Sequence, residues 1–206
     1  GMSEQADKTY LYIHSSNMDV GFDFEKQLLR YGASNKVVFT YVCDACGHVH
    51  ASFMKGKACA CPSCGKVRCH TSNTSSGVNR EQLSDIYNCA DAYIQVSTAG
   101  ALEIPIIEAK ACGIPVMTSD YAAPFELQQM GGNYHTIKTF CFKEESLSET
   151  EQLRGLVDEQ DITDGIIKFL SMDELNIIRI KGRIWIPNKS LPLQIQIVGK
   201  KINTWF

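Results

Sequence analysis

The sequence lacks the features that mark several classes of protein. It contains no run of about 18 apolar residues, the length that crosses a bilayer, and residues 1–8 lack the basic and apolar segments of a signal peptide. The net charge of -3 and the pI near 6.0 give no overall basic field for nucleic acid or acidic lipid. We therefore expect a soluble, cytoplasmic protein without a membrane span, for which nucleic acid is not the expected partner.

Disulfide cross-links are not expected either, although the chain has 9 cysteines. A disulfide framework is typical of small secreted chains with an even number of cysteines. A chain of 206 residues with 44% apolar content can bury a core without such cross-links. Five cysteines fall within residues 43–64, and this concentration indicates metal binding.

The cysteine-rich stretch contains two C-x-x-C pairs, Cys43/Cys46 and Cys61/Cys64. Two thiolates at this spacing can bind one face of a tetrahedral Zn²⁺ at about 2.3 Å, and a second pair closes the other face. Gly47 and Gly65 follow the pairs and supply the positive φ that turns backbone N–H groups toward the sulfurs. The spacing predicts a zinc ribbon over residues 42–70. Its zinc is structural, because four thiolates leave no open coordination position.

Other potential ligands lie in or beside the same segment: His48, His50, Cys59, Cys69 and His70. The sequence leaves open whether Cys59, Cys69, His48 or His50 replaces one of the four ligands. Cys59 is too close to Cys61 to belong to the same turn, and this favours the interpretation of Cys59 as a free or locally packed thiol. A redox motif of the thioredoxin type is a further alternative, but such a motif opens a helix after a strand, whereas these pairs lie in a segment rich in Gly and Lys.

The rest of the chain alternates between strand and helix patterns. Strands are predicted over 9–14, 36–42, 92–97 and 115–119, and helices over 22–31, 79–90, 104–111, 161–170 and 172–180. Asn79 and Gln82 have the spacing of a capping box. The acidic segment 144–159 reads as a connection with some helical pattern, and 191–198 alternates like a strand. This order predicts an α/β fold with an open parallel sheet, helices on both faces, and ligands at the carboxyl ends of the strands.

Two stretches, Leu83 to Ser97 and Ile104 to Asp120, combine with Glu126 into a specific pattern. A helix, a strand and a loop precede Glu-Ala-Lys-Ala-Cys-Gly-Ile-Pro-Val, which starts at Glu108. The pattern resembles the C-terminal, donor-binding domain of retaining GT-B glycosyltransferases (glycosyl transferases group 1 family), over roughly residues 8–140 apart from the ribbon. The resemblance implies a Rossmann-like nucleotide-sugar-binding domain formed by 8–41 and 71–206, with the ribbon inserted. It also implies a helix, rather than a strand, near 191–206.

The resemblance also implies a set of donor-binding residues. Glu108 matches the second glutamate of the family's E-x7-E motif, which binds the ribose hydroxyls. The loop and helix start that face the diphosphate correspond to Gly100, Leu102, Glu103 and Ile104. Backbone after the strand 36–42 lies near the base in this family, which makes Thr40 and Tyr41 candidates for base contact.

The sequence departs from the family at several points. Gly100 stands where the first glutamate of the motif is expected, and Glu103 stands where the family has a glycine beside the diphosphate. The Arg and Lys that neutralise the diphosphate have no visible equivalent, and an N-terminal acceptor-binding domain is missing from this sequence. We therefore expect a chain that binds the nucleotide-sugar donor but is incomplete for catalysis as it stands, and we assign no catalytic residue.

A different class of function is also consistent with the sequence. Lys55, Lys57, Lys66 and Arg68 make the ribbon locally basic, which favours a non-catalytic module that binds a protein or nucleic acid partner. Such charges are also common on ordinary solvated surfaces.

Overall fold

The computed structural model describes residues 8–17, 23–73, 75–97, 102–128, 130, 134–147, 150–171 and 194–198. The chain is a mixed α/β protein. It divides into two compact units, one formed by 1–91 with 193–206 and the other by 92–192. No helix in the described ranges is long and apolar enough to cross a membrane.

The described part of the first unit contains a mixed sheet and two helices. Its elements are β1 (Tyr10–His14), α1 (Phe24–Arg30), β2 (Val37–Cys43), β3 (Val49–Phe53), β4 (Cys59–Ala60), β5 (Val67–Thr71), α2 (Arg80–Asn88) and β11 (Gln194–Val198). Strand β2 is buried along its whole length. It pairs in parallel with β1 and antiparallel with β3 and β5.

Local sequence accounts for the starts of both helices in this unit. The Asp23 side chain accepts a hydrogen bond from the Lys26 backbone N–H at 3.2 Å and caps α1. At α2 the predicted capping box is confirmed, since Asn79 and Gln82 each bond the other's backbone N–H at 2.9 Å.

The cysteine-rich segment 42–70 is continuous with the sheet of the first unit. Its strands β3 and β5 both pair with β2, and β4 pairs with β5. Phe39, Tyr41, Cys43, Cys61 and Cys69 belong to one buried apolar cluster. The cysteine-rich segment therefore shares its core with the strands around it.

The described part of the second unit contains three parallel strands of the predicted α/β pattern. Its elements are β6 (Ala92–Gln95), α3 (Ile104–Ala111), β7 (Val116–Ser119), α4 (Ala122–Gln128), β8 (Tyr134–Ile137), β9 (Thr139–Leu147), β10 (Thr150–Val157) and α5 (Glu159–Ser171). Strands β6, β7 and β8 are parallel neighbours, whereas β9 and β10 form an antiparallel hairpin. The predicted open parallel sheet is found only in part, because the described strands of both units pair in parallel and antiparallel.

Several sequence predictions can be compared with these elements. The helices predicted over 79–90, 104–111 and 161–170 are confirmed within a few residues, while the helix predicted over 172–180 lies outside the described residues. Segment 144–159 was expected to be a connection with helical character, but β9 and β10 occupy most of it. At the C-terminal end, Gln194–Val198 is a strand antiparallel to β1. The strand-like alternation of 191–198 therefore predicted this segment correctly, whereas the helix that the glycosyltransferase resemblance implied is wrong for 194–198.

Candidate functional site

The four predicted metal ligands come together in the first unit. Cys43 ends β2 and Cys46 follows in the next turn, while Cys61 and Cys64 begin and end the turn after β4. The Sγ atoms of Cys43 and Cys64 are 3.7 Å apart, as are those of Cys46 and Cys61. Four sulfurs bound at about 2.3 Å around a tetrahedral ion lie about 3.8 Å from one another. The cluster could therefore hold a metal ion.

The two turns that carry these cysteines have the same backbone design. In the first, Gly47 N–H donates to the Cys43 carbonyl at 2.8 Å; in the second, Gly65 N–H donates to the Cys61 carbonyl at 2.9 Å. Both glycines have positive φ, 71° and 72°, as predicted. Cys43 and Cys61 also donate their own N–H groups to carbonyls five residues later, each at 2.9 Å. The thiols are thus positioned by two equivalent turns.

Backbone N–H groups favour the thiolate form of two of the ligands. Burial works to raise the pKa of Cys61, but hydrogen bonds from the N–H groups of Cys64 and Ser63 outweigh it and lower the pKa to about 6. The pKa of Cys43 is lowered in the same way: burial opposes the shift, and the N–H groups of Ala45 and Cys46 produce it. The pKa of Cys46 moves the other way: the hydrogen bond from the His48 N–H works to lower it, but burial and hydrogen bonds among the neighbouring thiols outweigh that bond and raise the pKa to about 12. Metals bind the thiolate rather than the thiol, so Cys43 and Cys61 are the two ligands that the turns favour in the binding form.

None of the nine cysteines, all of which lie in described ranges, forms a disulfide.

His70, one of the additional candidate ligands, is engaged elsewhere: its Nε2 lies 2.9 Å from Asp44 Oδ1 and its Nδ1 lies 2.8 Å from the Thr71 carbonyl. Asp44 also accepts a hydrogen bond from Ser76 Oγ at 2.9 Å. These contacts hold the chain on either side of the cluster in place.

The candidate donor residues of the second unit lie around the loop that follows β6. Glu103 immediately precedes α3, and its Oε1 accepts a hydrogen bond from Ser97 Oγ at 3.2 Å. The Ser97 carbonyl in turn accepts from Ser119 Oγ, at the end of β7, at 3.0 Å. No sequence pattern indicated a role for Ser97, since an isolated serine after a strand is ordinary.

Tyr93 connects the two candidate glutamates electrostatically. Burial raises its pKa well above the usual value, and the negative charges of Glu103 and Glu108 add to the shift. Both carboxylates therefore act on the same buried phenol of β6. The Tyr93 hydroxyl donates to the Gln95 side chain on the same strand.

Two other predicted donor residues flank Glu103, and a third cannot be placed. Leu102 is 63% exposed, and Ile104 is the first residue of α3. Gly100 lies outside the described residues. The loop therefore presents an apolar side chain beside the start of a helix.

Thr40 and Tyr41, the candidate base-contacting residues, belong to the first unit and are both fully buried. Thr40 Oγ1 lies 2.8 Å from both the Tyr12 hydroxyl and His14 Nδ1. The Tyr41 hydroxyl accepts the Lys55 N–H at 2.8 Å. Their contact with a nucleotide base stays a prediction. His14 has no role that the sequence pattern indicated, although its position two residues after Tyr12 places both side chains on one face of β1.

Comparison of the chain with protein-family models, with curated proteins and with solved structures found no match. The resemblance to glycosyltransferases therefore depends on the residues quoted from the sequence, and the function has to be inferred from the sites themselves.

Proposed function

We propose that this chain is the donor-binding half of a retaining glycosyltransferase, which binds a nucleotide-sugar in a Rossmann-like unit and carries a structural Zn²⁺ in an inserted ribbon. The observation that carries the proposal is the β6–α3–β7–α4–β8 succession, with three parallel strands in sequential order. Open sheets built this way bind ligands at the carboxyl ends of their strands. The loop between β6 and α3, which contains the glycosyltransferase-like residues, follows such an end.

The polar groups of this loop suit a sugar or ribose. Carboxylates accept hydrogen bonds from vicinal hydroxyls, the role that the family assigns to Glu108. A carboxylate at Glu103 would repel a diphosphate at the same place. Its hydrogen bond to Ser97 holds one carboxylate oxygen toward the end of β6. In this proposal Glu108 binds the ribose and Glu103 faces the hydroxyls of the transferred sugar.

The metal in the proposal is Zn²⁺, because four thiolates in a tetrahedron are its typical structural site. When bound, it cross-links the two turns and supplies no reactive position. Binding and orientation of the donor are then the contribution of this chain, and a complete enzyme requires an acceptor-binding domain as well.

The test is titration calorimetry of the full chain with uridine, guanosine and adenosine diphosphates, one at a time. We expect weak binding to at least one, reduced about 10- to 100-fold in Glu108→Gln, because a hydrogen bond to a charged group is worth about 1.5–3 kcal/mol. Glu81→Gln, an exposed change in the first turn of α2, is the matched control. Absence of binding to all three, or equal binding by both variants, contradicts the proposal.

The alternative, an interaction module, is favoured by one observation. Lys55, Lys57, Lys66 and Arg68 are all exposed along the cysteine-rich segment, which gives it a basic surface suited to an acidic partner. Fluorescence anisotropy with a single-stranded RNA tests this function. A salt-dependent affinity that Lys57→Glu and Lys66→Glu abolish would favour the module over the transferase.

A further inference from the structure

A second group of metal-binding side chains lies in the first unit beside the four-cysteine cluster. Its members are His50 on β3, Cys59 on β4 and Cys69 on β5, and their donor atoms all lie within 4.8 Å of one another. Strand register explains why three distant residues meet. His50 is opposite Tyr41, Cys69 is opposite Cys43, and Cys59 is opposite Cys69. Because Tyr41 and Cys43 are two residues apart on β2, all these side chains share one face of the sheet.

The hydrogen bonding of the His50 imidazole supports its role as a metal ligand. Both of its ring nitrogens are buried, and among the described residues neither has a hydrogen-bond partner. The ring is held between Tyr41, with centroids 5.7 Å apart, and His48, at 5.6 Å, and both pairs are stacked. Buried polar atoms in proteins are almost always bonded. A stacked, buried imidazole close to two thiols, with no hydrogen bond to the described part of the chain, has the arrangement of a metal ligand.

We propose that His50, Cys59 and Cys69 bind a second Zn²⁺, in addition to the ion held by Cys43, Cys46, Cys61 and Cys64. Two thiolates and one imidazole form a ligand set that Zn²⁺ accepts with a fourth position open to water or another ligand. Ligands that share a zinc ion lie about 3.5–4 Å apart. Side-chain movements of about 1 Å or less would therefore complete the site.

The neighbouring cluster makes a second cation favourable. Four thiolates around one divalent ion carry a formal charge of about −2, and that charge is partly buried, where attraction to a cation is strong. Cys69 is fully buried and opposite Cys43, so the second ion would lie next to the first.

Two other roles for these residues give different results in the same experiment. Cys59 and Cys69 are cross-strand neighbours, so oxidation could join them in a disulfide. They could also be thiols that only fill space, as buried cysteines often do. In either case His50 would bind no metal.

The experiment measures zinc in the full chain, purified under reductant and then saturated with Zn²⁺ and desalted. We expect a second equivalent, released by a chromogenic chelator in a separate phase from the first. His50→Phe keeps the stacked ring but removes both nitrogens, and Cys59→Ser removes one thiol; each should lose the second equivalent and keep the first. Cys89→Ser, a change in a cysteine that bonds the Ile86 carbonyl, is the control and should keep both.

Co²⁺ substitution provides a second readout that does not depend on the stability of one variant. The second equivalent of Co²⁺ should give sulfur-to-metal charge-transfer absorption, and this increment should vanish in His50→Phe and Cys59→Ser. A single equivalent in the wild-type chain, or a second one that survives in both variants, would overturn the proposal. Loss of two titratable thiols without reductant, together with a single zinc, would instead identify a Cys59–Cys69 disulfide.

Discussion

Cys43 and Cys69 lie directly opposite each other on β2 and β5, and both are fully buried in the apolar cluster that contains Phe39 and Tyr41. A ligand of the four-cysteine cluster is therefore also a core residue of the first unit. Loss of the ion would leave a thiolate or thiol without its partner inside that core. The metal centre and the adjacent strands should accordingly respond together.

The first prediction is that Cys46→Ser abolishes binding at the four-cysteine cluster and loosens the strands around it. Cys46 is exposed, so the change removes a ligand without opening a cavity in the core. We expect faster amide hydrogen exchange in β3 and β5 and at the end of β2, because the ion cross-links the turns that join them. The parallel strands of the second unit should keep wild-type exchange.

Cys141→Ser is the matched control for this prediction, because Cys141 lies on β9 in the second unit. It should retain the metal and the exchange pattern of β3 and β5. Unchanged exchange in metal-depleted Cys46→Ser would show that the turns are stable without an ion.

The second prediction concerns acid stability. Burial lowers the pKa of His14 to about 4 from 6.5, so the folded state keeps the ring neutral while the unfolded chain takes up a proton. The contribution of the neutral His14 ring to the unfolding free energy is fully present above about pH 6.5. It is lost as the pH falls toward 4, by up to about 3 kcal/mol. His14→Gln should therefore show a smaller loss of unfolding free energy between pH 7 and pH 4 than the wild type.

Urea titrations of both proteins at several pH values measure this difference. Contributions from metal release and from carboxylates are common to both proteins and cancel in the comparison. Parallel pH profiles for wild type and His14→Gln would contradict the assignment.

The third prediction concerns the capping box of α2. Asn79→Ala removes the acceptor for the Gln82 N–H and should lower the unfolding free energy by about 1 kcal/mol. Asn79→Asp should retain most of the wild-type unfolding free energy, since aspartate caps helices about as well as asparagine. Thermal unfolding of the three proteins checks the order, and an alanine variant as stable as the wild type would contradict it.

Local patterns in the sequence identified the parts of the fold that depend on near neighbours. The C-x-x-C-G turns could be predicted from the cysteine spacing and from the two glycines, Gly47 and Gly65, which have the expected positive φ. The capping box at Asn79 likewise needed residues three apart. Such features are specified within one turn of chain and are recognisable without knowledge of the fold.

Features that depend on distant pairing could not be found in this way. The alternation over 191–198 indicates a strand, but nothing in the sequence identifies its partner β1, which is far away along the chain. Strand β9 runs Phe-Cys-Phe-Lys-Glu-Glu over residues 140–145, without the regular alternation of apolar and polar residues that marks a strand, so the β9–β10 hairpin was not predicted. The group of His50, Cys59 and Cys69 likewise follows only from strand register: β3 and β5 pair with β2, and β4 pairs with β5. No spacing along the chain indicates it.

The last prediction is that Gly165→Ala destabilises the second unit, although alanine is normally the better helix former by about 1 kcal/mol. Gly165 lies within α5 and is buried. A Cβ atom there would lie 2.4 Å from Met117 Sδ and 2.5 Å from His135 Cδ2. Met117 is itself fully buried on β7, so the sulfur has no free space, and His135 contacts Phe169 of the same helix edge-on at 6.4 Å. Relief of the clash requires the Met117 and His135 side chains or α5 itself to shift, at a cost of about 1–3 kcal/mol. Denaturant unfolding should show this loss in Gly165→Ala, whereas Thr163→Ala, an exposed change in the same helix, should remain within about 0.5 kcal/mol of the wild type. A Gly165→Ala protein that is more stable than the wild type would mean that the helix does not approach the sheet this closely.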